Sequence, residues 1–114
     1  LIVPLPLDIK RLKWRGFNQA QELGEELSNF LELPMINDVL FKIRQTPPQV
    51  ELSGSEREEN IKGVFLVNNS ENIRGKKILL IDDVYTTGAT MEEAAKTLKE
   101  TGAKQVWGIT VSRG

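Results

Sequence analysis

The 114-residue chain contains no cysteine and no histidine. Without cysteine there is no disulfide framework and no thiolate metal site. Without histidine, the usual general base at neutral pH and the commonest nitrogen ligand for metals are both missing. Any chemistry must therefore need little acid–base work, use a carboxylate, or draw on the substrate itself. No apolar stretch approaches the roughly 20 residues needed to span a bilayer. No signal-peptide pattern is present either, so the expectation is a cytoplasmic protein with no membrane insertion. Net charge is only −1, so no overall field favours nucleic acid or a membrane surface. What remains is 39% apolar and 27% charged, the balance of a soluble globular domain. The length suits one domain over 1–114 with a modest core. The sequence begins at Leu1 inside a strand-like run and ends at Gly114 just after another, which suggests an excised piece of a longer protein.

The most informative stretch runs from Ile78 to Thr90. Ile78, Leu79, Leu80 and Ile81 form a short continuous apolar run, the signature of a strand buried on both faces in a parallel sheet. Two carboxylates, Asp82 and Asp83, stand where that strand ends. Thr86-Thr87-Gly88-Ala89-Thr90 follows, small and rich in hydroxyls. A helical pattern then begins, with Met91, Ala94, Ala95 and Leu98 at i, i+3, i+4 and i+7. A loop entering a helix N-terminus presents backbone N–H groups that no helical turn satisfies, at the positive end of the helix dipole. Gly88 permits close approach of an anion and a positive φ, and Thr86, Thr87 and Thr90 add hydroxyl donors. The stretch reads as a phosphate cradle, but it is neither Gly-x4-Gly-Lys-Ser/Thr nor Gly-x-Gly-x-x-Gly. The adjacent acids would repel a phosphate. They suit neutral hydroxyls such as a ribose diol, or a cation travelling with the ligand. Phosphate on one side and diol on the other describe a ribose 5-phosphate. The plainer alternative, an acidic turn before an N-capped helix, leaves two neighbouring carboxylates without a structural purpose.

In chain order, Leu1 to Pro6 is apolar and punctuated by proline, so its strand ends near Val3 or Leu5. Lys10, Arg11, Lys13 and Arg15 follow, opposed only by Asp8. Taken alone such a run is a solvated surface. Directly after the first strand, however, it falls at the end of a parallel sheet where ligands bind, and Arg11 and Arg15 become candidates for phosphate contacts. Asn18 is a plausible N-cap, with Gln21 three residues on. Leu23, Leu27, Phe30 and Leu31 would be the apolar stripe of that helix, which Pro34 ends. Met35 to Ile43 carries a second apolar strand. The segment from Arg44 to about Gly63 is long and polar, with Pro47-Pro48 forcing an extended stretch and a short acidic helix expected from Ser53 through Asn60. Excursions of that length in small domains are usually functional or disordered. Further strands are expected at Gly63–Val67 and Gln105–Val111, with Gly102 as a helix C-cap. Strands alternating with helical patterns predict an α/β fold with right-handed connections.

Ile78 to Thr90 resembles the phosphoribosyl pyrophosphate (PRPP) binding motif of type I phosphoribosyltransferases. Val3-Pro4-Leu5-Pro6, Arg15-Gly16-Phe17-Asn18-Gln19-Ala20, and Thr46-Pro47-Pro48-Gln49 with Leu52, Arg57 and Asn60 resemble the ComF (ComFC, competence protein F) family, across essentially the whole chain. The resemblance implies the type I phosphoribosyltransferase-like fold, a mostly parallel central sheet flanked by helices. It implies that the amides of Thr86, Thr87, Gly88, Ala89 and Thr90 hold the 5-phosphate, and that Asp82 and Asp83 hold the ribose hydroxyls. The loop after the first strand, with Arg11 and Arg15, would receive pyrophosphate. Members of the family are linked to DNA uptake, which implies single-stranded DNA and a competence helicase-like protein as partners. They usually carry an N-terminal region with paired Cys-x-x-Cys zinc ligands, and this cysteine-free sequence departs from that pattern.

Three functional readings follow. The first is an enzyme that transfers phosphoribosyl from PRPP to an unidentified nitrogen acceptor, releasing pyrophosphate. Such a reaction needs positioning and charge stabilisation more than a strong base, which fits a chain without histidine. Mg2+ would arrive with PRPP and take few protein ligands. Arg44 and Arg57, from the long excursion, would close on the pyrophosphate and exclude water, or else serve only as surface residues. The second is a non-catalytic PRPP-binding adaptor in transformation. The third is direct single-stranded DNA binding through Lys10, Arg11, Lys13 and Arg15, with Trp14 and Phe17 for stacking, against which the net charge counts.

Overall fold

The structure is a computed structural model that describes residues 1–7, 16, 18–43, 63–82 and 88–110. Its elements, in order, are β1 (Ile2–Pro4), α1 (Gln19–Leu31), β2 (Leu40–Lys42), β3 (Phe65–Val67), a 3-10 turn (Ser70–Asn72), β4 (Lys77–Asp82), α2 (Ala89–Glu100) and β5 (Gln105–Thr110). β4 is the centre of a parallel sheet ordered β1-β4-β5. Ile78, Leu80 and Ile81 are all 0% exposed, as a strand covered on both faces requires. β2 and β3 do not join this sheet. They form a separate antiparallel ribbon, Leu40 opposite Val67 and Lys42 opposite Phe65.

Register divides the sheet into two faces. Val3 pairs with Leu80, and Leu80 with Gly108, while Ile78 pairs with Val106. These positions share one face because successive side chains alternate. On that face Val3, Ile78 and Leu80 pack with Ala94 and Leu98 of α2 and with Val39, Leu40, Val64 and Phe65 from the ribbon. Ile2, Leu79, Ile81, Trp107 and Ile109 belong to the other face. There α1 lies against β1 and β4, with Gly24 so close that a Cβ would come within 3.5 Å of Ile2 Cγ2. Met35 adds a single parallel bridge to Ile2 on the outer side of β1, held by Ile2 N donating to Pro34 O (2.8 Å) and Ile36 N to Ile2 O (2.9 Å).

The strand expected over Met35–Ile43 is thus two separate things, a one-residue bridge and the short β2. The reading of α1 also changes. Its buried residues are Ala20 and Gly24, Leu23 and Leu27 are half-buried, and Phe30 is 84% and Leu31 44% exposed. Helical periodicity identifies a stripe but not how far a neighbour extends beneath it, and the sheet is too narrow to reach the last turn. Phe30→Gln is therefore expected to change stability by no more than about 0.5 kcal/mol, measured by urea denaturation. A loss of core size would show that Phe30 is covered. In α2, by contrast, Ala94 and Leu98 are fully buried with Met91 and Ala95 packed beside them, as the periodicity predicts. That helix ends at Glu100, with Thr101 at the cap and Gly102 one residue beyond at φ 122°.

Candidate functional site

Three parallel strands end at the same edge of the sheet, with Asp82 opposite Thr110 and Pro4 opposite Ile81. Leu5 N donates to Ile81 O at 2.8 Å, so the chain leaving β1 stays beside the end of β4. From β1 the chain passes through α1 on one face and returns at Met35, outside β1. From β4 it passes through α2 on the opposite face and returns at β5, on the other side. Right-handed connections running in opposite directions put their helices on opposite faces. The strand order therefore reverses between β1 and β4, and ligands of open α/β sheets bind in the crevice beyond the strand ends at such a switch point.

Asn18 closes one wall of that crevice. Its Oδ1 accepts from Ala20 N at 2.9 Å, capping α1, while its Nδ2 donates to Leu5 O at 3.2 Å. One side chain thus ties the end of β1 to the start of α1 and pins both ends of the intervening loop. The capping role is readable from the sequence, whereas the bond to Leu5 depends on where α1 docks.

The other wall is the start of α2. Gly88 is buried and stands at φ 84°, in the left-handed region that suits glycine, at the N-cap. Glu92 N donates to Gly88 O at 2.8 Å and closes the first helical turn. The amides at 89–91 lie in the first turn of α2, at the positive end of its dipole. Ala89 is buried and Thr90 half-buried. Asp82 is half-buried at the end of β4, in register with Ile78 and Leu80 and so on the face that α2 covers. Asp82 at the end of β4 and Gly88, Ala89 and Thr90 at the start of α2 thus stand at the switch point. Asp83, Thr86, Thr87, Arg11, Arg15, Arg44 and Arg57 lie outside the described residues, as do the basic and aromatic positions Lys10, Lys13, Trp14 and Phe17 and the helix expected from Ser53 through Asn60.

One contact carries no signal in the sequence. Glu93, in the second turn of α2, accepts from Gly63 N at 3.2 Å, fastening Gly63, where the described chain resumes, to α2. A charged residue on a helix ordinarily reads as solvated, and only the tertiary arrangement gives Glu93 this partner.

The phosphoribosyl transferase domain family matches residues 15–113, and the chain belongs to that family. Among its relatives, it is 38% identical over 111 residues to Competence protein F of Haemophilus influenzae, covering 95% of this chain and 48% of that protein. It is 36% identical over 108 residues to the DNA utilization protein YhgH of Escherichia coli, covering 93% of this chain and 47% of that one. It is 35% identical over 117 residues to Competence protein ComFC of Bacillus subtilis, covering 99% and 44% respectively. These similarities identify it as a member of the ComF group of the phosphoribosyltransferase superfamily. The chain spans about half the length of these curated relatives. Among the described residues, no helix is long and apolar enough to cross a membrane.

Proposed function

We propose that this domain binds PRPP and transfers its phosphoribosyl group to a nitrogen nucleophile, in a cytoplasmic process that serves the uptake or use of DNA. The observation that supports this best is the placing of Asp82 at the end of the central strand and of a positive-φ Gly88 at the start of α2, both at the switch point. In this reading the amides and hydroxyls of Thr86, Thr87, Gly88, Ala89 and Thr90 hold the 5-phosphate. Asp82 and Asp83 accept from the ribose 2- and 3-hydroxyls and favour positive charge on the ring. Arg11, Arg15, Arg44 and Arg57 neutralise the pyrophosphate.

The bond from the anomeric carbon to the pyrophosphate oxygen breaks, and its electron pair leaves with pyrophosphate. The lone pair of the acceptor nitrogen forms the new C–N bond, and the proton lost from that nitrogen passes to solvent or to pyrophosphate. The barrier is lowered chiefly by alignment and by charges placed before the reaction begins. Mg2+ would arrive with PRPP and be held chiefly by its oxygens, with few protein ligands, and would offset charge on the departing pyrophosphate. Single-stranded DNA and a helicase-like protein are the proposed partners.

Asp82→Asn combined with Asp83→Asn is expected to weaken PRPP binding at least tenfold, at about 1–2 kcal/mol for each charge-assisted hydrogen bond lost. Inorganic phosphate binding should change far less. Calorimetry with both ligands checks this, and equal losses would remove the diol role. Pyrophosphate release in the presence of nucleobases and amines tests turnover. Thermal stabilisation by PRPP without release for any acceptor would favour a non-catalytic adaptor.

A further inference from the structure

We propose that Gly108 is a positioning residue for the phosphate turn, because the space left by its missing side chain is where Met91 seats and fixes the first turn of α2. A glycine inside a strand often marks a close approach by another group. Gly108 occupies the middle of β5, opposite Leu80 and on the face that α2 covers. A Cβ built there would overlap Met91 Sδ and would stand 3.1 Å from Met91 Cγ and 3.6 Å from Cε. Sδ and Cγ are both crowded, and with Gly108 exposed and Met91 half-buried the methionine side chain yields by rotating off the strand, so the new methyl displaces Met91 from its seat.

Met91 is the third residue of α2, three positions from Gly88. Ala94 and Leu98 anchor the later turns in the core, while in the first turn the small Ala89 joins the core and Met91 is the large apolar residue packed against it. With Met91 displaced from its seat the first turn loses that anchor, and the amides at 89–91 shift relative to the later turns. Charge-assisted hydrogen bonds depend on donor placement to within a few tenths of an ångström, and a shift near 1 Å can lower function about a hundredfold. Gly108 touches no ligand in this account and acts only through Met91.

The inference rests on the phosphoribosyl reading for its effect on PRPP, but the geometric claim is testable without ligand. Four full-chain proteins are compared: the original, Gly108→Ala, Met91→Ala and the double variant. Gly108→Ala is expected to weaken PRPP binding about tenfold by calorimetry and to shift the ligand-free NMR amide signals of Gly88, Ala89 and Thr90. In the Met91→Ala background the same substitution should leave both affinity and amide signals within error, since nothing remains for the new methyl to displace. Unmoved amide signals in Gly108→Ala, meaning that the first turn holds its place with Met91 displaced, would overturn the proposal. An equal effect of Gly108→Ala in both backgrounds would do the same. Should Gly108→Ala fail to fold, the double variant is expected to fold, and its failure would count against the proposal. If the original protein were indifferent to PRPP, the phosphoribosyl reading would fall while the amide signals still decided the role of Gly108.

Discussion

Gly88→Val is expected to abolish PRPP binding, with affinity reduced about a hundredfold or more, while the circular dichroism spectrum stays that of an α/β protein. Two effects act together. Gly88 has φ 84°, where an L-residue incurs roughly 1–2 kcal/mol and a β-branched one more. Relief of that strain moves the backbone of the turn. The valine side chain would also occupy the space in which an anion must approach the amides. Gly88→Asn separates the contributions, because asparagine tolerates the left-handed region. It should keep more of the stability than Gly88→Val yet still lose much of the affinity. Unchanged PRPP affinity in Gly88→Val by calorimetry would mean that the phosphate is held elsewhere.

The second large effect concerns the strand that carries the site. Leu80→Ala is expected to lower folding stability by about 3–4 kcal/mol, a large share of the roughly 5–15 kcal/mol typical of a domain. Leu80 is 0% exposed, with Val3 and Gly108 opposite it on the neighbouring strands and α2 and the β2–β3 ribbon covering its face. Few neighbours can close the cavity without shifting α2. Leu79 lies on the opposite face and is half-buried. Its cross-strand neighbour Trp107 is 47% exposed. Leu79→Ala should therefore cost roughly half as much, the lost area being smaller. Urea denaturation measures both, and equal losses would show that the two faces are covered alike.

That contrast shows how far the amino-acid pattern reaches. Ile78, Leu79, Leu80 and Ile81 are equivalent as an apolar run, and the run alone indicates a buried central strand, which β4 is. The difference between Leu79 and Leu80 depends on where the helices pack. α1 and α2 lie on opposite faces, and α1 leaves the Trp107 side of β5 open. Phe30 and Leu31 fit the α1 periodicity yet extend past the sheet. The β2–β3 ribbon is a similar case, because each strand is apolar but, among the described residues, pairs only with the other, antiparallel and outside the parallel sheet.

The site divides along the same line. Asp82 at a strand end, Gly88 before a helix, and Asn18 as a cap were all readable, because each role is local and set by a residue's own backbone neighbours. Reversal of strand order between β1 and β4, the bond from Asn18 to Leu5, the Glu93 contact with Gly63 and the seat for Met91 on Gly108 were not. Each joins residues far apart in the chain, and no local preference encodes such a meeting.

The sequence by itself determined the buried strand from Ile78, the acid at its end and the glycine-led helix that runs through Leu98, and its motifs carried the resemblance to phosphoribosyltransferases. Short-range sterics and periodicity suffice for the strand and the helix, while the resemblance rests on the identity of the residues. Only the tertiary structure decided which face each apolar residue buries, which strand ends lie side by side, and what holds the first turn of α2 in place. Those follow from the packing of helices on both sides of one narrow sheet, where the space open to each side chain is set by elements distant in sequence.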